Sequence, residues 1–192
     1  DIDLETFNLS IHYLEKKLKN TKKKLLPKII INVHLAGNPS YQKELYKLSK
    51  KYKFKIIEDA SHSIGSKVDN NYVGECKWSD ITVFSFHAVK IITSGEGGAI
   101  TTRNKFLAKK IELLRSHGIT KNKEDFLFKS NYAYYYEQHL LGYNYRLTEL
   151  QAGLGLSQLN RLKMFIAKRN LIAKRYIDKL KTLPLIFQKI HK

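Results

Sequence analysis

A lysine at the edge of an apolar run is the first feature of this sequence that could do chemistry. Lys90 follows the run ITVFSF and precedes the glycine cluster GEGG. Two polar side chains end apolar runs of the same kind, because Asp59 closes FKIIED and Ser85 lies five residues before Lys90. An amine held away from water favours its neutral form, which is a nucleophile. These three residues predict a site for amine chemistry, whereas each one alone could be a surface or strand-end residue.

The elements around these residues alternate between apolar runs and amphipathic stretches. KIIINVHL and FKIIEDA are continuous apolar runs, typical of strands buried on both faces. Between them, tyrosines and leucines recur at helical spacing from Tyr41 to Tyr52. This order predicts an α/β fold with a parallel strand–helix–strand unit. Ligands bind beyond the carboxyl ends of the strands in such sheets, which is where Asp59 and Ser85 are expected.

The rest of the chain continues the same pattern. A long aromatic and polar stretch between Gly118 and Leu141 has little periodicity and is typical of a functional loop or lid. The predicted elements around it are strands in DITVFSF and GAITT, a helix from Leu107 to Leu114, a helix that a capping box TELQ opens at Thr148, and a helix from about Leu162 to Leu180.

Composition limits the class of protein. Lysine and arginine number 35 against 17 acidic residues, a formal charge of +18, but the basic residues are spread along the chain as on solvated helix faces. A basic nucleic-acid-binding module therefore stays an alternative that no motif supports, and anionic ligands such as phosphates and sugar nucleotides are expected instead. The single cysteine, Cys76, excludes an internal disulfide. Because no apolar stretch reaches about 18 residues, we expect a cytoplasmic protein with no membrane partner.

Four motifs, in order, resemble those of the DegT/StrS family of sugar-nucleotide aminotransferases: IIEDASHSIGS, FSFHAVKIITSGEGGA, LRSHGI and LGYNYRLTELQAGLGLSQL. The resemblance implies the large-domain part of the aspartate-aminotransferase fold, with a mixed, mostly parallel sheet flanked by helices. That part is expected over about residues 1–160, with the start of a connecting helix toward a further domain over about 161–192. We therefore expect the chain to be a fragment of a longer protein.

The resemblance also implies a site for pyridoxal 5'-phosphate (PLP). Lys90 is expected to form a Schiff base with the PLP aldehyde and then to carry the proton between substrate and cofactor carbons. Asp59 is expected to hold the ring nitrogen protonated, His62 to contact the ring hydroxyl, and Ser85 to donate to the phosphate. Asn144 is expected to reach the phosphate in the partner subunit, which implies a homodimer with shared sites. No metal ligand spacing is present.

The activity that the resemblance implies is amino transfer to a 4-keto-6-deoxy nucleotide sugar, with glutamate as the expected donor. Within the family, HAVKIITSGEGGA and RSHGI most resemble the UDP-4-amino-4,6-dideoxy-N-acetyl-L-altrosamine transaminases of pseudaminic acid synthesis, which are PseC-like. Two further alternatives stay open. One is a relative that uses PLP for sugar dehydration, against which the presence of Lys90 argues, and the other is an inactive truncated remnant.

Overall fold

The computed structural model describes residues 1–190, which form two compact units. One unit contains residues 1–103 and 149–190, and the other contains residues 104–148. No helix within residues 1–190 is both long enough and apolar enough to cross a membrane. In chain order the first unit contains α1 (Ile11–Asn20), β1 (Ile29–Val33), α2 (Gln42–Tyr52), β2 (Lys55–Asp59), β3 (Lys67–Val68), β4 (Asn71–Tyr72), β5 (Ile81–Ser85) and β6 (Gly98–Thr101).

The remaining elements complete both units. The second unit contains α3 (Lys105–Arg115), β7 (Ile119–Thr120) and β8 (Glu137–Gln138), and the chain then returns to the first unit in α4 (Glu149–Leu159) and α5 (Leu162–Leu180). The predicted boundary near residue 160 stays a prediction, and the last two residues of the predicted segment 161–192 lie outside the described residues.

The central sheet has the strand order β1-β2-β5-β6. β1, β2 and β5 pair in parallel, and β6 pairs antiparallel to β5. This arrangement confirms the predicted α/β class with a mixed, mostly parallel sheet. The register aligns Asp59 with Val33 on one side and with Val83 on the other. Asp59 is thereby fixed at the carboxyl end of a strand that has a neighbour on both sides.

One face of this sheet is closed by α1 and α2. Ser10 caps α1 by accepting a hydrogen bond from the backbone N–H of Tyr13 at 3.4 Å. Leu18 of α1, Leu45 and Leu48 of α2, and Ile56 of β2 are 1–7% exposed and form one apolar cluster. Full burial of one such side chain stabilises the fold by about 1.5–3 kcal/mol. This cluster fixes the strands whose ends carry the candidate site.

The opposite face of β1 does not follow the prediction of burial on both faces. Ile29, Ile31 and Val33 are 53%, 64% and 42% exposed, whereas Asn32, on the face that α1 and α2 close, is 1% exposed. The prediction is wrong for this strand because, within residues 1–190, no helix or strand covers its outer face. A continuous apolar run shows that a strand can be buried on both faces, but it does not supply the element that buries it.

The second unit is held together around a buried carboxylate. Glu137 of β8 is 8% exposed and accepts hydrogen bonds from the backbone N–H groups of Leu127 and Phe128 at 2.7 and 2.9 Å. Tyr135 donates its hydroxyl to Glu137 at 3.0 Å, and a ring nitrogen of His139 lies 2.7 Å from the same carboxylate. Part of the aromatic stretch predicted as a loop is therefore folded around one side chain.

Candidate active site

Lys90 lies in the connection between β5 and β6, and backbone hydrogen bonds shape this loop. Its backbone N–H donates to the carbonyl of His87 at 3.0 Å, while Ser94 donates its N–H to the carbonyl of Phe86 at 3.0 Å. Ile92 is 2% exposed and anchors the loop in the apolar interior. The turn therefore presents Lys90 from a fixed backbone. Within residues 1–190, the side-chain amine of Lys90 makes no hydrogen bond and no ion pair.

Lys90 and His62 line the same cavity, which has a volume of about 720 Å³. A volume of this size is typical of pockets that hold small molecules and cofactors. Gly37, which has φ +83°, lies on its wall, and a Cβ there would come within 2.7 Å of the carbonyl oxygen of His62. The loop that follows β1 and the turn that carries His62 are thus packed directly against each other. The structure brings together two of the five predicted site residues in one cavity.

Asp59 is not one of the residues that line the cavity, but its carboxylate is within electrostatic range of both His62 and Lys90. Its carboxylate accepts a hydrogen bond from the backbone N–H of Ser61 at 3.0 Å. Partial burial works to raise the pKa of Asp59, but the hydrogen bonding by Ser61 and the charges of His62 and Lys90 outweigh it and leave that pKa lowered. Asp59 is therefore an anion within electrostatic range of the His62 and Lys90 side chains.

Ser85 is the last residue of β5, where it pairs with Gly98 of β6. Its hydroxyl accepts a hydrogen bond from the backbone N–H of His87 at 3.4 Å, and its side chain is half-buried. Ser85 is not one of the residues that line the cavity of Lys90. Its assignment to the cofactor phosphate stays a prediction.

Asn144 belongs to the unit of residues 104–148 and is exposed. It forms an antiparallel bridge with Ser116, and its neighbours Tyr143 and Tyr145 stack with ring centroids 4.9 Å apart. Tyr143 also donates its backbone N–H to the carbonyl of Leu114 at 2.7 Å. The segment that presents Asn144 is thus held along the end of α3, and its contact with a partner subunit stays a prediction.

Glu58, to which the sequence assigned no role, is a buried carboxylate of the first unit with several hydrogen-bond donors. It is 2% exposed and accepts hydrogen bonds from Ser79 Oγ at 3.0 Å, from Thr82 Oγ1 at 2.7 Å and from the side-chain amide of Gln42. The fully buried His34 lies with Nε2 3.6 Å from Glu58 Oε1. One carboxylate thereby connects β2, α2, β5 and the segment that follows β1.

The proton on His34 can be placed from its other nitrogen. The backbone N–H of Ser40 donates to Nδ1 at 3.1 Å, so that nitrogen carries no proton and the ring proton lies on Nε2, facing Glu58. Burial works to raise the pKa of Glu58, but the facing His34 ring and the hydroxyls of Thr82 and Ser79 outweigh it and leave that pKa lowered. Alternation along β2 predicts that the side chains of Glu58 and Asp59 lie on opposite faces of the sheet. It does not predict the partners of Glu58, because those residues lie far away in sequence.

The second wall of the cavity comes from α5, which the sequence predicted as a helix from about Leu162 to Leu180. Arg169 and Asn170 of this helix line the cavity, together with Lys67 of β3, the strand that follows the turn with His62. The spacing of Ile166, Arg169, Asn170 and Ala173, which all line the cavity, is that of one helix face and was the signal that could have identified them.

Known proteins resemble this chain over most of its length. A sequence profile of the DegT/DnrJ/EryC1/StrS aminotransferase family matches residues 1–192. The UDP-4-amino-4,6-dideoxy-N-acetyl-beta-L-altrosamine transaminase of Campylobacter jejuni subsp. jejuni serotype O:23/36 (strain 81-176) is 42% identical over 144 residues, which are 75% of this chain and 35% of that protein.

Solved structures show the same relationship. Helicobacter pylori PseC, an aminotransferase involved in the biosynthesis of pseudoaminic acid, aligns with a TM-score of 0.79 and 36% identity over 92% of this chain and 43% of that one. A variant of GDP-4-keto-6-deoxymannose-3-dehydratase (ColD) with bound GDP-perosamine aligns with a TM-score of 0.83 and 29% identity over 99% of this chain and 49% of that one.

The described fold agrees with these similarities and with the expected large-domain part of the aspartate-aminotransferase fold. This chain spans less than half the length of the three relatives. The profile match covers all 192 residues, including the four motifs around Asp59, Lys90, His117 and Asn144. The chain belongs to the DegT/DnrJ/EryC1/StrS aminotransferase family.

Proposed function

We propose that the full-length protein is a PLP-dependent aminotransferase that adds an amino group to a 4-keto-6-deoxy nucleotide sugar. The observation that carries this proposal is that Lys90 lines a cavity of about 720 Å³ and that its charge contributes to the lowered pKa of Asp59. The relatives named as altrosamine transaminase and PseC favour a UDP-linked N-acetylamino sugar, as in pseudaminic acid synthesis, and we propose glutamate as the amino donor. Family membership favours this enzyme over a nucleic-acid-binding module.

The residues present fit PLP by their chemistry. A primary amine without a hydrogen-bond partner in residues 1–190 suits an aldehyde, and a carboxylate with a lowered pKa suits a protonated ring nitrogen. Lys90 would hold the cofactor covalently, Asp59 would hold the ring nitrogen, and His62 would contact the ring hydroxyl. Ser85, with Asn144 of a second subunit, would hold the phosphate. When bound, PLP supplies an electron sink for a carbanion next to the transferred nitrogen.

The chain's own groups would then control protons. The Asp59 carboxylate stays ionised because its pKa is lowered, so it can keep a proton on a nitrogen placed against it. The Lys90 amine lines the cavity and would serve as the base that moves a proton between two carbons of a bound ligand. Ile91 and Val89 line the same cavity and give it apolar surface beside that amine.

The assembly and the compartment belong to the same proposal. We expect a homodimer, because Asn144 would complete the site of its partner. The protein would act in the cytoplasm, where a buried free thiol such as Cys76 stays reduced.

The test is amino transfer by the full-length protein, with PLP, glutamate and a UDP-linked 4-keto-6-deoxy N-acetylamino sugar. We expect an amino sugar product, and we expect Lys90→Ala to abolish its formation. Lys77→Ala is the matched control, because Lys77 is exposed, donates to Asn71 Oδ1 at 3.1 Å and does not line the cavity. A wild-type protein that binds PLP but aminates no keto sugar would support the inactive-remnant alternative. Loss of activity in both Lys90→Ala and Lys77→Ala would contradict a specific catalytic role for Lys90.

A further inference from the structure

α5, which forms one wall of the cavity, packs against the turn that carries His62. Gly65 has φ +83°, a conformation that favours glycine, and a Cβ there would come within 2.4 Å of Ile166 Cδ1 and 3.3 Å of Leu162 Cδ2, so the side chains of α5 pack directly on this turn. Ile166 lies one helical turn before Arg169 and Asn170, which share its face and line the cavity. Arg169 is therefore presented to the cavity by a helix in direct contact with the loop opposite.

The cavity is cationic. Lys67, Lys90 and Arg169 line it, and among its lining residues, all of which lie within 1–190, none is Asp or Glu. The ammonium of Lys67 lies 4.4 Å from the ring centroid of Tyr72, whereas Arg169 makes no hydrogen bond and no ion pair within residues 1–190. Basic side chains that line one concave surface without carboxylates favour an anionic ligand. A guanidinium is the side chain best suited to phosphate, because its donors can engage two oxygens at once.

We propose that Arg169, together with Lys67 and the amide of Asn170, binds the diphosphate of the nucleotide-sugar substrate. This inference rests on the proposed function, because a nucleotide sugar carries a diphosphate and the cofactor carries one phosphate. The predicted phosphate donor, Ser85, lies at the end of β5 and does not line this cavity, so the cofactor phosphate is assigned to a different place. Arg169 thereby selects a nucleotide-linked sugar over a free sugar.

The test uses the full-length protein and UDP as the probe, with dissociation constants measured by isothermal titration calorimetry. Arg169→Gln removes the charge and keeps much of the side-chain length, and we expect it to raise the dissociation constant for UDP at least tenfold. Arg175→Gln is the matched control, because Arg175 lies on the same helix and does not line this cavity. We expect less than a twofold change for the control, since it alters the net charge equally but not the proposed subsite.

Two further arms separate the diphosphate from the other anions of the reaction. Dissociation constants for PLP and for glutamate are measured on the same variants, and we expect Arg169→Gln to leave both within about twofold of wild type. If Arg169→Gln weakens PLP or glutamate and leaves UDP unchanged, the subsite belongs to that ligand and the diphosphate assignment is wrong. Equal UDP affinity in both glutamine variants also overturns it.

Arg169→Lys protects the test against a folding defect. It keeps the charge but loses the planar pair of donors, so we expect a UDP affinity between those of wild type and Arg169→Gln. Should Arg169→Gln not fold, as judged by circular dichroism, an unchanged UDP affinity in Arg169→Lys decides against the proposal. Failure of the proposed function is recognised separately, because PLP would then not be fixed on Lys90 in the wild-type protein, whatever the affinity for UDP.

Discussion

Glu58 offers the sharpest test of how the structure supports the candidate site. Its carboxylate is 2% exposed and accepts from Ser79 at 3.0 Å, from Thr82 at 2.7 Å and from Gln42. Each hydrogen bond to a charged group contributes about 1.5–3 kcal/mol, but the three share one carboxylate and do not add. Removing one member of a buried charged network costs about 3–5 kcal/mol. We therefore expect Glu58→Ala to lower the free energy of unfolding by about 3–5 kcal/mol.

Glu58→Gln separates the shape of this side chain from its charge. The amide oxygen can still accept from Gln42, and its NH₂ can donate to the two hydroxyls, so we expect a smaller loss, of about 1–2 kcal/mol. Glu5→Gln is the control, because Glu5 is 65% exposed and pairs only at the surface with Lys189, at 2.8 Å. We expect no measurable change there, since exposed ion pairs contribute little.

The assay is urea denaturation of the full-length protein, followed by circular dichroism at neutral and acidic pH. Because the pKa of Glu58 is lowered from its ordinary 4.5, its charge stabilises the fold above that pH, and the contribution is lost as pH falls through the folded-state pKa. We expect a flatter acid dependence in Glu58→Gln than in wild type. A decrease of less than about 1 kcal/mol in the free energy of unfolding of Glu58→Ala would refute the reasoning. Removal of a buried carboxylate whose oxygens are hydrogen-bonded is expected to cost more than that.

Three further predictions concern the site and the second unit. We expect Asp59→Ala to lower the turnover rate at least ~10²-fold while PLP affinity falls less, and near-normal turnover would rule out its role at the ring nitrogen. Mixing Lys90→Ala and Asn144→Ala subunits should restore part of the activity, and no recovery under conditions shown to exchange subunits would make Asn144 a turn residue. Since the pKa of Glu137 is lowered to about 2, its charge stabilises its segment above about pH 4.5, and this contribution is lost as pH falls through about 2. Hydrogen exchange should show faster exchange in Glu137→Gln than in wild type at pH 5 for the two backbone amides that it binds, and equal rates would contradict this.

The helices and strands could be predicted because their signals are local. The last helix was expected from about Leu162 to Leu180, and α5 has those bounds. The strands that carry Asp59 and Ser85 were also found, since a strand end next to a turn is visible in a short stretch of sequence. Periodicity along the chain is sufficient for features of this kind.

What the sequence did not reveal depends on contacts between distant residues. Glu58 meets Gln42 and Thr82 only after β1, β2 and β5 have paired in register, so no local pattern marks it as buried. In the sequence, Arg169 cannot be distinguished from the other basic residues of its helix. Its place in the cavity depends on the packing of α5 against the turn at Gly65. The resemblance to a family supplied the chemical roles of the site, whereas the supporting residues required three-dimensional contacts.

The central claim is that Lys90 carries the cofactor, and one measurement tests it most directly. The full-length protein is loaded with PLP, reduced with borohydride, digested and mapped by mass spectrometry. Lysine is abundant in this chain, so the position of the label discriminates strongly among candidates. We predict that the label lies on the peptide that contains Lys90 and that it disappears in Lys90→Ala. A stoichiometric label on a different lysine would contradict the account.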